Sequence, residues 1–181
     1  MSGHLVILSG PSGVGKDTVI DAWSKRDHRV ARVVAYTTRP RRLSELDGAD
    51  YHFVTPGKFK ELIDGGAFLE FKEVFGNLYG TPLRDMEEML AAGKVAVLKI
   101  DVQGALTVMN LRPDALSVFL MPPSVSELDR RIHERATDPP EVIERRLQTA
   151  RDEIALAPEY QHVIVNRQVD EVVETLEALV S

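Results

Sequence analysis

The stretch from His4 to Thr18 constrains this chain more than any other. His4–Ser9 (HLVILS) is a short apolar run that leads directly into Gly10-Pro11-Ser12-Gly13-Val14-Gly15-Lys16-Asp17-Thr18. An apolar run closed by a glycine-rich turn reads as a buried strand. Val14 to about Lys25 reads as a helix, with Val19, Ile20 and Trp23 on one face. A G-x-x-x-x-G-K turn set between a strand and a helix is a phosphate-binding loop, or P-loop. Its glycines let the backbone curl so that successive N–H groups face an anion. The helix N-terminus adds partial positive charge. Lys16 is placed to reach the β- and γ-phosphates of a nucleotide. The whole run from Gly10 to Thr18 is therefore the expected nucleotide-binding set.

Position 17 departs from that pattern. A Ser or Thr normally stands there and offers a hydroxyl to Mg²⁺. Asp17 is the candidate metal ligand through its carboxylate, with Thr18 as the alternative. An acid in the first turn of a helix suits the helix dipole. It would also face phosphate charge unless a cation lies between.

The rest of the chain continues in the same style. Val30–Thr38 is β-branched and strand-like. Tyr51–Thr55 and Ala67–Phe75 are strand candidates around a short helix starting near Pro56. Gly76–Gly80 reads as a turn, and Pro82 is well placed to start a helix. Lys94–Ile100 and Ala115–Met121 are apolar strands, and Ser124 is the expected N-cap of a helix from about Val125. Glu141–Leu156 is a charged amphipathic helix, His162–Asn166 the last strand and Asp170–Val180 the last helix. Near-continuous apolar strands alternating with helices predict an α/β fold, a parallel sheet covered on both faces. Residues from about 35 to 85 break this rhythm and read as a separate lobe inserted after the second core strand. Phe68, Phe71 and Phe75 are expected in the core, and no function is placed on His4, His28, His133 or His162.

Composition narrows the function. The 181 residues suit one globular unit. The chain has no cysteine, which excludes a disulfide scaffold, a Cys-ligated zinc site and an iron–sulfur cluster, and suits a cytoplasmic protein. The N-terminus lacks a signal-peptide pattern, and no apolar run has the ~18–20 residues of a spanning helix. A net charge of −6 argues against nonspecific nucleic-acid binding. Yet the 22 basic residues are 15 Arg and 7 Lys. The arginines gather at Arg39, Arg41 and Arg42, and again at Arg130, Arg131, Arg135, Arg145, Arg146 and Arg151. Planar bidentate donors concentrated in an acidic protein point to small polyanions as partners, with solvated helix faces as the alternative for the second group.

A P-loop by itself does not choose between a GTPase, an ATPase and a small-molecule kinase. No Asn-Lys-x-Asp guanine reader is present. The middle segment carries Thr37-Thr38-Arg39-Pro40-Arg41-Arg42, then Asp47-Gly48-Ala49-Asp50-Tyr51-His52-Phe53, then Phe68-Leu69-Glu70-Phe71, then Gly76-Asn77-Leu78-Tyr79-Gly80-Thr81. With GPSGVGK before them and KIDVQGA, PPS and VIVN after them, these motifs resemble the guanylate kinase family over nearly the whole chain.

The resemblance implies a P-loop NTPase-type core (1–34, 87–124 and 150–181), a mixed β/α GMP-binding lobe (35–86) and a helical lid (125–149). It implies ATP as donor, GMP as acceptor and Mg²⁺ as cofactor, in a monomer or small homo-oligomer. Arg39, Arg42, Tyr51 and Tyr79 match residues that hold the GMP phosphate. Glu70, Thr81 and Asp101 match contacts on the guanine side. Arg135 and Arg146 match lid arginines that, with Lys16 and Arg39, serve the transferring phosphates. Asn166 matches a residue near adenine. Asp101, at the end of an apolar strand, also suits a Mg²⁺-binding role.

Several positions depart from the family pattern. Asp17 is one. Ala35 stands where a serine commonly helps read guanine. Lys99 stands where an acid is usual. The proline of TTRPRR is shifted by one, so Arg41 competes with Arg42 for the phosphate, and the spacing from Arg39 to Tyr51 favours Arg42.

Overall fold

The computed structural model describes residues 3–135 and 139–181, without the side chain of Arg135. The core is a five-stranded parallel sheet in the order β2-β7-β1-β8-β9. Its strands are β1 (His4–Ser9), β2 (Val30–Arg32), β7 (Val95–Lys99), β8 (Leu116–Met121) and β9 (His162–Val165). Side-chain alternation divides the sheet between two cores. Val6, Leu8, Val97, Val118 and Leu120 face α1 (Lys16–Arg26) and α7 (Val169–Leu179). Leu5, Ile7, Ala96, Leu98 and Phe119 face the other way, toward α3 (Leu83–Ala91) and α4 (Val102–Leu111). Burial on both faces explains why these strands read as continuous apolar runs.

A second, mixed sheet has the order β4-β3-β6-β5, from β3 (Tyr36–Thr37), β4 (His52–Phe53), β5 (Phe68–Val74) and β6 (Asn77–Pro82). Helix α2 (Pro56–Asp64) accompanies it, capped by the Thr55 side chain, which accepts from Lys58 N. The expected strand over 30–38 is two strands in two sheets. Val33 N still donates to Val97 O at 3.0 Å, whereas Ala35 O accepts from His52 N at 2.8 Å. The chain crosses between sheets within two residues, and a uniform β-branched composition carries no mark of that crossing.

Other expectations are corrected. The first helix begins at Lys16 rather than Val14, because Gly13 and Gly15 hold positive φ angles of 82° and 101°. Gly76–Gly80 is a turn only at its start. Phe75 (φ 50°) and Gly76 (φ 77°) form a two-residue hairpin, and Asn77 onward is β6. Both angles are positive, as a turn matched to the strand twist requires. Phe71 and Phe75 are exposed rather than core, while Phe68 stacks on the buried Phe59. Helix α4 has no counterpart in the sequence reading. Its Gly and β-branched residues weaken the local signal, and its start is fixed by Asp101, whose side chain accepts from Gly104 N.

Helices α5 (Val125–Arg135) and α6 (Pro140–Ala155) pack on each other through Leu128, Ile132, Leu147 and Ala150. Ser124 caps α5 as expected, accepting from Glu127 N at 3.0 Å. No helix among the described residues is long and apolar enough to cross a membrane.

Candidate active site

The phosphate loop leaves β1 at the C-terminal edge of the parallel sheet, where ligands of open α/β folds bind. Gly10 (φ 144°) turns the chain so tightly that a Cβ there would meet Leu120 O at 2.5 Å. Lys16 folds back over the loop, its Nζ donating to Gly10 O at 2.6 Å and Pro11 O at 3.2 Å. Burial lowers its ammonium to about 8, against the raising influence of Glu153 and Asp17. Asn166 braces the loop from below. Its Nδ2 donates to Val14 O at 2.8 Å, and the residue is only 6 % exposed. The structure thus shows Asn166 holding the loop itself, a role the sequence reading did not give it.

Asp17 is exposed, and its Oδ1 takes both Lys99 Nζ at 2.8 Å and Arg32 at 2.7 Å. Desolvation opposes ionisation, but Lys99 and Arg32 outweigh it and hold the carboxyl below its ordinary range. Two of the departures from the family pattern therefore meet in one ion pair.

Across from the loop, the second sheet presents the other predicted residues. Thr37 and Thr38 lock β3 to β6: Thr37 Oγ1 donates to Leu78 O at 3.0 Å and Thr38 Oγ1 accepts from Leu78 N at 2.9 Å. Thr37 Oγ1 also accepts from Arg39 N at 3.1 Å, which sets the direction of that arginine. Arg39 grips Glu45 with both nitrogens, at 2.6 and 3.1 Å, and its guanidinium lies 5.6 Å from the Tyr51 ring centroid. Glu45 also accepts from Arg42 N at 2.8 Å. The sequence reading missed Glu45, although an acid inside an arginine-rich loop is itself a signal. Arg41 donates to Glu45 O at 2.7 Å, so its guanidinium serves the loop backbone. Arg42 keeps an exposed side chain. Tyr51 and Tyr79 meet edge to face with centroids 5.9 Å apart. Burial pushes the Tyr51 phenol up to about 12, so it remains a donor at neutral pH. The acids of the DGAD turn are structural. Asp47 accepts from Phe53 N at 3.0 Å and Asp50 from Leu46 N at 2.7 Å.

A third group forms where β5 and β6 meet α4. Glu70 is 8 % exposed and accepts from Thr81 Oγ1 at 2.7 Å. Burial raises its carboxyl, against the Thr81 hydrogen bond. Asp101 caps α4 and pairs with Lys72 at 2.9 Å. Gly104 allows the approach of these acids: a Cβ there would lie 3.0 Å from Asp101 Oδ1 and 3.2 Å from Glu70 Oε2. No local pattern marks this, since the glycine is read only against its tertiary neighbours.

The second arginine cluster divides. Arg130 and Arg131 both pair with Glu127 on their own helix, and Arg151 lies 3.9 Å from Glu144. These three are solvated helix faces. Arg146 is half-buried on α6, and the side chain of Arg135 lies outside the described residues. On the same helix, Glu153 is pushed up to about 7 by burial, with the nearby Lys16 drawing it down.

A phosphate loop thus faces a basic, aromatic cluster and a buried carboxylate. A sequence model of the guanylate kinase family matches residues 2–181. The chain belongs to the guanylate kinase family. The guanylate kinase of Gloeobacter violaceus is 47 % identical over 176 residues, covering 97 % of this chain and 86 % of the relative. That of Streptococcus thermophilus is 49 % identical over 168 residues, covering 92 % and 80 %. The crystal structure of guanylate kinase from Anaplasma phagocytophilum superposes with a TM-score of 0.79 at 34 % identity, covering 98 % of this chain and 84 % of that one. A shikimate kinase from Bacteroides thetaiotaomicron, at 15 % identity and a TM-score of 0.52 over 97 % of each chain, shares the fold.

Proposed function

We propose that this chain transfers the γ-phosphoryl group of ATP to GMP. An oxygen of the GMP phosphate attacks the γ-phosphorus, the bond to the β–γ bridging oxygen breaks, and ADP leaves with that electron pair. The acceptor oxygen is already ionised near neutral pH, so positioning and charge neutralisation carry the catalysis.

The observation that carries this reading is the buried Glu70–Thr81 pair, set beside Asp101. Guanine presents its ring N–H and its amino group side by side, and a carboxylate accepts from both. Adenine offers an acceptor at the same place and meets repulsion. A site built around a buried polar group rejects the wrong partner strongly. In this reading Glu70, Thr81 and Asp101 hold the base. Arg39, Arg42, Tyr51 and Tyr79 hold the GMP phosphate. The loop from Gly10 to Thr18, with Lys16, holds the donor phosphates, and Asn166 keeps that loop in shape beside the adenine. The segment 125–149 acts as a lid that brings Arg135 and Arg146 to the transferring group and excludes water. The acceptor lobe is 35–86, and the remaining segments form the core.

Mg²⁺ fits the residues near the loop as an ion held chiefly by nucleotide phosphates with one or two protein oxygens. Both cations on Asp17 meet Oδ1, so Oδ2 would hold the metal, with the Thr18 hydroxyl as the alternative. When bound it neutralises charge shared between the phosphates.

An assay of ADP release over GMP, dGMP, AMP, CMP and UMP tests the reading. Turnover confined to guanine acceptors is expected, and comparable turnover of AMP would overturn it. Lys16→Ala should lower turnover by several orders of magnitude, because charge on the β- and γ-phosphates loses its counterion.

A further inference from the structure

Lys99 is the last residue of β7 and pairs in register with Leu8, so it stands beside the start of the phosphate loop. Its side chain is largely buried, and its Nζ rests on Asp17 Oδ1 at 2.8 Å. Arg32 reaches the same oxygen at 2.7 Å. Asp17 therefore faces two cations, while Arg32 also lies 3.8 Å from Asp21, so the two carboxylates and two cations balance in charge. The Lys99 ammonium also lies 5.3 Å from the Tyr51 ring centroid, whose ring is approached by the Arg39 guanidinium at 5.6 Å. The Lys16 ammonium feels the Lys99 charge, and the Tyr51 phenol feels Asp17. Lys99 is thus held between the lysine of the donor loop and the tyrosine of the acceptor cluster.

We infer that Lys99 is a further substrate-contacting residue, a cation held by Asp17 at the acceptor side of the loop, where it binds the GMP phosphate. The inference rests on GMP being the acceptor. Arg32, at 2.7 Å from Asp17 against 3.8 Å from Asp21, keeps Asp17 paired when Lys99 leaves it. An ammonium on a flexible stem can bind phosphate as a point charge without the fixed approach a guanidinium demands. Lys99 can swing from Asp17 toward an incoming phosphate while Arg32 keeps its place. With Arg39, it would let Tyr51 present its hydroxyl to a phosphate flanked by positive charge on two sides.

The test is calorimetric binding of GMP and of guanosine to the full chain. Guanosine keeps the base contacts and lacks the phosphate, so it reports the integrity of the fold. Lys99→Met should weaken GMP about 10- to 100-fold and leave guanosine within about twofold. The same loss should appear when Lys99→Met is added to Asp17→Asn, where no carboxylate remains at position 17 for a lysine to neutralise. A loss seen only while Asp17 is present would overturn the proposal, since Lys99 would then serve Asp17 alone. An equal loss for both ligands, or none for either, would also overturn it. If the unsubstituted protein binds guanosine as tightly as GMP, the phosphate-site reading itself fails, a result distinct from failure of Lys99.

Discussion

Thr81 donates to Glu70 at 2.7 Å at the junction of β5 and β6, and neither residue is more than 8 % exposed. The hydroxyl occupies one oxygen of the carboxylate and fixes the direction of the other. Glu70→Gln turns one acceptor into a donor aimed at guanine's own donors. The cost should be roughly 1–3 kcal/mol, or about 5- to 150-fold in kcat/KM for GMP, with KM for ATP nearly unchanged. Steady-state kinetics with each substrate varied in turn decides this. Equal losses for both would assign Glu70 to the fold.

Asn166→Ala removes the brace beneath the phosphate loop and leaves Val14 O without its partner. A buried acceptor left unpaired costs about 1–3 kcal/mol. For a chain of this size the melting temperature should fall by about 2–12 °C. The KM for ATP should rise more than the KM for GMP, because the loose element is the donor loop. A lower melting temperature with ATP kinetics intact would confine Asn166 to stability.

Lys16 and Glu153 give opposite pH signatures. Lys16 titrates near 8 in the folded chain against an ordinary value of 10.5. The folded state therefore binds fewer protons across that window, and this group's contribution to stability rises with pH from about 8 to 10.5. Glu153 titrates near 7 against an ordinary 4.5. Its folded form holds the extra proton, so its contribution falls as pH rises through that window. Because kcat/KM reports the free enzyme, its value for ATP should fall above about pH 8 as Lys16 loses its proton. Glu153→Gln removes an anion that favours the ammonium, so the break should move to lower pH. A break that stays in place would separate Glu153 from the loop.

Phe75 holds a positive φ of 50° in the β5–β6 turn and is 68 % exposed. Asn tolerates that conformation far better, and Asn-Gly is the favoured pair for such a hairpin. Phe75→Asn should stabilise the chain by about 0.5–1 kcal/mol, a rise of about 1–4 °C in melting temperature. A fall would show that the exposed ring makes a packing contribution larger than its strain.

Local chemistry made much of this protein legible. The phosphate loop is set by a continuous apolar strand, three glycines at fixed spacing and one lysine, all between His4 and Lys16. Ser124 and Pro82 mark helix starts because capping depends on the adjacent backbone. The parallel sheet follows from strands apolar on both faces. Glu70 is reached through the resemblance of its Phe68-Leu69-Glu70-Phe71 motif to the family.

What the tertiary structure decided is where distant segments meet. The division of residues 30–38 between two sheets depends on β7 and β6, which lie far along the chain. Glu45 and Gly104 matter only through Arg39, Glu70 and Asp101, their neighbours in space. Of the second arginine cluster, three residues spend their charge on acids of their own helix pair, which composition alone does not reveal. Asp17 and Lys99, two separate oddities 82 positions apart in sequence, form one ion pair. Sequence fixes propensity because backbone preference and capping act over a few residues. Charge pairing and close approach act through space, and only the folded chain sets those distances.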